Sequence, residues 1–144
     1  MEKNEEKQAA RLLLVLSNTI IKNRNRHMAA IDLTAAQADC LRFCLERGDG
    51  ATVTELKDYL GVTHQTAQGL VRRMADKGLV SLCRSREDAR CRQLFLTGEG
   101  RERADQMLRS RERTGGKLLQ GMSPEERRAF LRLLRLAYEN VKND

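Results

Sequence analysis

Apolar residues recur at helical spacing along most of this chain, and Thr, Ser and Gly punctuate them. From about Glu5 to His27, Ala9, Leu12, Leu13, Leu16 and Ile20 mark one helix face. Leu14, Val15 and Ile21 spread that stripe over most of the circumference. A helix so apolar all round needs cover on several sides, so burial against a partner is expected. Thr34 with Gln37 forms a capping box that opens a second helix. Its expected inner face is Ala38, Leu41, Cys44 and Leu45, with Asp39, Arg42 and Glu46 toward water and Gly48 and Gly50 ending it.

Thr52 with Glu55 repeats the capping pattern and starts a third helix carrying Val53, Leu56 and Leu60. Gly61 permits a sharp turn, and Thr63 caps a fourth helix with Ala67, Leu70, Val71 and Met74 inward, stopped by Gly78. Helix, glycine turn, helix is the helix-turn-helix arrangement. Leu79–Cys83 and Gln93–Thr97 are strand-like, and the segment RSREDARC between them is too charged for a core. A two-stranded hairpin with an exposed tip follows.

Thr97 caps a fifth helix with Ala104, Met107, Leu108, Leu118 and Leu119 on one stripe. Gly115 and Gly116 lie on or beside that stripe and mark a kink, a close approach or a weak point. After Gly121, Ser123-Pro124-Glu125-Glu126 supplies a cap, a proline at the first helical position and an acidic third residue. Phe130, Leu133, Leu134, Ala137 and Val141 line the last helix, broadened by Leu131, Leu136 and Tyr138. With no internal repeat or low-complexity linker, residues 1–144 read as a single domain, mainly α with a small two-stranded β-wing.

A chain of 144 residues is long enough for a core without staples. Its net charge of +7 fits a polyanionic partner, nucleic acid or an anionic membrane surface, against the plainer reading of a soluble basic protein. No Trp, three Phe and two Tyr argue against a stacking platform for single strands or RNA. No apolar run approaches the roughly 20 residues that span a bilayer, and the acidic N-terminus does not suit a signal peptide. The expected location is the cytoplasm, with no membrane partner and the four cysteines as thiols.

With the inner stripe of the fourth helix removed, His64, Gln65, Gln68, Gly69 and Arg72 remain on its outer face. Such a face is usually only solvated, but here it follows a tight turn and precedes a basic hairpin. Gln presents donor and acceptor together to adenine and Arg does so to guanine, and the major groove displays a distinct pattern for every base pair. Gln65 and Gln68 are the base-reading candidates, Arg72 and Arg73 reach base edges or phosphates, and Thr63 and Thr66 stand at the helix start. Gly69 lets the backbone come close to a duplex. Between Arg84 and Arg92 there are four arginines (Arg84, Arg86, Arg90, Arg92) against Glu87 and Asp88. The plain reading is a charged hairpin tip; the functional one is arginine inserted in the minor groove, with Asp88 restraining a neighbour by ion pairing.

At this point the sequence resembles the MarR family of bacterial winged helix-turn-helix regulators. The resemblance runs through Leu33-Thr34, Thr52…Glu55-Leu56, Leu60-Gly61-Val62-Thr63, Lys77-Gly78-Leu79-Val80, Asp88-Ala89-Arg90, Leu96-Thr97…Gly100 and Met122-Ser123-Pro124-Glu125-Glu126. It implies a homodimer interlocked through its first and last helices (about 5–30 and 101–142), with winged lobes at about 34–100. The fourth helix would read the major groove of double-stranded DNA and Arg90 the minor groove. A two-fold dimer favours a pseudo-palindromic operator with half-sites about 34 Å apart. The implied function is a transcriptional regulator, a repressor by preference; a nonspecific architectural DNA-binding protein is the alternative. Gln65, Gln68 and Gly69 depart from the basic or hydroxylated residues common in the family's recognition helix, so no relative's target sequence transfers.

The resemblance also implies a small-molecule effector, of unfixed identity. For His27 two readings stand, a surface histidine, the commoner case, or a pocket-lining one. Cys40 and Cys44 read as buried small hydrophobes. Cys83 and Cys91 flank the wing tip among arginines, which lower a thiol pKa, so a cross-strand disulfide formed on oxidation is a second candidate signal. Metal-ligand spacing, phosphate loop and nucleophile elbow are absent from the sequence, so no metal, no cofactor and no enzymatic activity are expected.

Overall fold

A computed structural model describes residues 2–88, 90 and 92–144. The elements run α1 (Glu2–Ala30), α2 (Ala35–Arg47), β1 (Ala51–Thr52), α3 (Val53–Leu60), α4 (His64–Asp76), β2 (Val80–Arg84), β3 (Arg92–Leu96), α5 (Gly98–Leu118) and α6 (Pro124–Val141). The chain divides into two compact units, Met1–Ser110 and Arg111–Asp144.

The caps fall where the short polar residues stand. Thr34 Oγ1 accepts from Gln37 N–H while Thr34 N–H donates to Gln37 Oε1, both at 3.2 Å. Thr52 and Thr63 accept from Glu55 N–H and Thr66 N–H, each at 3.1 Å, satisfying donors that a helix start leaves unpaired. Gly61 takes φ 67 between α3 and α4, a left-handed turn that a side chain resists.

The sheet has three antiparallel strands in the order β1-β3-β2, one more than the hairpin expected from sequence. The added strand pairs Ala51 with Leu94 and Thr52 with Gln93. It is only two residues long and is confluent with the α3 cap, so it carries no alternation of its own to read. The hairpin register runs from Val80↔Leu96 to Arg84↔Arg92.

The core of the first unit is built from Met28 of α1, Leu41 and Phe43 of α2, Leu56 of α3, Met74 of α4, Leu79 just before β2 and Leu94 of β3, all nearly inaccessible. On α2 the expected inner face needs correction: Leu45 is exposed, while Gln37, Cys40 and Phe43 join Ala38, Leu41 and Cys44 in the buried set. Gly100 is also buried. A Cβ there would stand 1.9 Å from the Leu79 carbonyl oxygen, so only glycine lets α5 start against the end of the α4–β2 turn. Among the described residues, a Cβ added at Gly115 or Gly116 would meet no neighbour within 4 Å, and α5 runs through both as helix.

The long terminal helices contrast with this core. α1 starts earlier and ends later than its apolar stripe indicates and buries only Met28, leaving Leu12, Leu13, Leu14, Val15 and Ile21 exposed. α6 opens with the expected Ser123–Glu126 capping box and Pro124, yet buries no residue.

Candidate nucleic-acid interface

The outer face of α4 is set by what its inner face buries. Ala67, Leu70, Val71 and Met74 are at most 4% exposed, which fixes the roll of the helix. His64, Gln65, Thr66, Gln68, Arg72 and Arg73 are consequently exposed, and Gly69 half-exposed. Thr63 and Thr66 are already engaged with each other, Thr63 Oγ1 lying 2.9 Å from Thr66 Oγ1. Their first task is therefore the cap. A Cβ at Gly69 would meet only Arg73 Nη2, at 4.0 Å, so this chain's own packing does not require glycine there.

The hairpin folds back toward this face. A cleft of about 300 Å³ is lined by Thr52 and Thr54 at the start of α3, His64 and Gln68 of α4, and Arg84, Arg90 and Arg92 of the wing. A neighbouring recess shares Gln68 and Arg92 and adds Arg72 and Asp76. The structure thus brings His64, Gln68, Arg72, Arg84 and Arg90 together. Gln65, Arg73 and Arg86 are exposed nearby in sequence but line neither cleft.

Arg92 joins the site although composition gave it no role beyond the arginine count. The signal was in the pairing: Arg92 faces Arg84 across the ladder. Like charges directly opposed on a sheet are destabilising. Among the described residues, Arg72, Arg73, Arg84 and Arg92 make no ion pair, whereas Arg24 and Arg42 both meet Asp39, Arg47 meets Glu55 and Arg101 meets Asp49. Unneutralised cations gather on one face, and such a surface suits a polyanion.

At the wing tip, Ser85 Oγ accepts from Glu87 N–H at 3.2 Å and Asp88 N–H at 3.4 Å, and Asp88 Oδ1 accepts from Arg90 N–H at 3.0 Å. Asp88 thereby shapes the turn that carries Arg90, through the backbone. Cys83 is exposed and faces Gln93 across the ladder; Cys91 lies outside the described residues.

Cys40 and Cys44 are buried on α2. The neighbouring Cys44 thiol, and then burial, push Cys40 above the ordinary thiol range, while the Cys40 thiol pulls Cys44 below it against the opposing effects of burial and Asp49. His27 is half-buried, with Nδ1 inaccessible and without a hydrogen-bond partner in the described structure. Among the described residues there is no cluster of three or more metal-ligating side chains, and no helix long and apolar enough to cross a membrane.

Residues 31–90 match the family model for the MarR family. The uncharacterized HTH-type transcriptional regulator YdgJ of Bacillus subtilis (strain 168) is 28% identical over 99 residues, 69% of this chain and 60% of that protein. The match therefore spans less than two thirds of that relative's length. A MarR family protein from Bacillus stearothermophilus has the same fold, with TM-score 0.82 at 25% identity over 99% of both chains. The crystal structure of MarR gives TM-score 0.72 at 27% identity, covering 92% of this chain and 90% of that one.

Proposed function

We propose that this chain, whose residues 31–90 match the MarR family model, is a transcriptional regulator that binds double-stranded DNA sequence-specifically as a homodimer. The observation that carries the reading is the opposed Arg84 and Arg92, without an ion pair among the described residues, lining one cleft with Gln68 and His64. A repulsive pair kept beside hydrogen-bonding readers is stabilised when phosphate arrives between them. The similarity to an HTH-type transcriptional regulator supports the same reading.

In this assignment Gln65 and Gln68 read base edges in the major groove, with Arg72 and Arg73 on bases or phosphates. Thr63, His64 and Thr66 present the helix start to the backbone, Gly69 lets the duplex approach, Arg84 holds phosphate beside Arg92, and Arg86 and Arg90 enter the minor groove on a turn shaped by Asp88. The lobe is residues 34–100, and the dimer forms through residues 5–30 and 101–142, where α1 leaves Leu12, Leu14 and Ile21 exposed and α6 leaves Leu131, Leu133 and Leu136 exposed in the single chain. Binding over a promoter makes the protein a repressor. Release follows one of two signals: a small molecule, for which the recess beside Ala30, Asp32, Glu99 and Glu102 offers room, or oxidation of Cys83 with Cys91.

Selection from a random duplex pool tests the reading. A pseudo-palindrome with half-sites one helical turn apart is expected; enrichment of no motif would instead favour a nonspecific architectural protein. Gln68→Ala should change which sequences are preferred, while Arg92→Ala should weaken binding to all of them and lower the salt slope by about one.

A further inference from the structure

The C-terminal end of α1 is held by two cations sent from distant parts of the first unit. The helix unwinds at Asp32, which takes φ 56, and Leu33 N–H turns back to the Met28 carbonyl at 2.8 Å. Lys77, the C-cap residue of α4, donates to the Asp32 carbonyl at 2.7 Å and to Gln37 Oε1 at 2.9 Å. Its ammonium is also 3.5 Å from the Asp32 carboxylate. Arg103 of α5 donates to the neighbouring Ile31 carbonyl at 2.6 Å. Terminal helix carbonyls carry partial negative charge, so cations there are favourable.

Gln37 Oε1 is the same atom that accepts from Thr34 N–H in the α2 cap. One ammonium therefore ties together the end of α1, the start of α2 and the end of α4. On the apolar side α1 is held by a single buried residue, Met28. One point of burial does not fix a direction, and three polar links add further points: Lys77, Arg103 and the Arg24–Asp39 pair at 2.7 Å. α4, by contrast, is seated in the lobe by four buried side chains and keeps its place without Lys77.

We propose that Lys77, with Arg103 as its second anchor, is a positioning residue that sets the angle between α1 and α4 and thereby the half-site spacing the protein accepts. This rests on the homodimer reading above, in which α1 belongs to the dimer interface and α4 enters the groove. A lost clamp leaves each lobe able to bind its half-site but loosens the distance and rotation between the two lobes.

The test uses the full-length chain, the operator recovered by duplex selection, and two further operators with one base pair inserted or removed between half-sites. The wild type should discriminate against the altered spacings by about tenfold or more. Lys77→Met, which keeps the stem and removes the charge, should reduce that ratio to about threefold or less while affinity for an isolated half-site stays at the wild-type level. Lys77→Arg should restore the ratio. A folded Lys77→Met protein with unchanged discrimination would overturn the proposal. Should Lys77→Met melt too low to measure, Arg103→Met decides: reduced discrimination supports the clamp and an unchanged ratio overturns it. A wild type that enriches an operator but ignores spacing defeats the homodimer reading together with the clamp, whereas loss of spacing control confined to the variants isolates the clamp.

Discussion

Helices α4 and α6 carry much the same pattern and meet different fates. Each opens with a hydroxyl cap and has apolar residues at helical spacing along one face. In α4 that face, Ala67, Leu70, Val71 and Met74, is sealed against the rest of the lobe. In α6 the corresponding face is open: Leu133 is 51% exposed and Val141 is 64% exposed. Periodicity tells which face of a helix is apolar, but what covers that face is a separate fact. For α4 the cover is this chain; for α6 the proposed cover is a second copy.

The difference is broken most severely from the lobe side. Met74→Ala leaves a cavity in a sealed core and should cost about 2–5 kcal/mol of unfolding free energy, equally at every protein concentration. Gly100→Ala drives a methyl against the Leu79 carbonyl and should cost about 1–3 kcal/mol as α5 shifts away from the wing. Denaturant titrations of both variants check these values. On the other helix, Leu133→Ala removes only a half-exposed side chain. Its intrinsic cost should stay near 0.5 kcal/mol or less, while dimer association weakens by about 1 kcal/mol or more per subunit. Sedimentation across a concentration series separates the two effects, and an unchanged dissociation constant would remove α6 from the interface.

The lobe was legible because its signals are local and redundant. Thr34 with Gln37, Thr52 with Glu55, and Thr63 each declare a helix start within four residues, and Gly61 declares the turn. The four buried residues of α4 follow from spacing alone, and that spacing leaves Gln68 and Arg72 on the outside. The features that escaped depend on long-range register. Arg84 opposite Arg92, the short β1 against β3, and the contact of Gly100 with Leu79 link positions that no window along the chain brings together. Leu45 failed for a related reason: apolar character at the edge of a stripe does not say where the neighbouring helices stop. The anchoring contacts of Lys77 and Arg103 are likewise invisible along the chain, because each reaches a distant backbone carbonyl, which a sequence does not mark.

The smallest expected effect sets the two capping boxes against each other. Both α2 and α6 begin with a hydroxyl residue whose N–H donates to the side chain three residues on, at 3.2 Å for Thr34 and Gln37 and 3.0 Å for Ser123 and Glu126. The acceptor in the lobe is a neutral, buried amide; on α6 it is an exposed carboxylate. The Ser123 backbone N–H, and then its hydroxyl, hold Glu126 below the usual carboxylate range. A depressed folded pKa means the contribution is present above the unfolded value, about 4.3, and is lost as pH falls through the lower folded value. Acidification should therefore fray the first turn of α6 while leaving the start of α2 intact. Amide exchange of residues 124–127 against 35–38, followed from neutral pH to below 4, reads the difference directly. Glu126→Gln should abolish the pH dependence at α6 and make the two helix starts behave alike; a persisting acid transition there would place its origin elsewhere than in the cap.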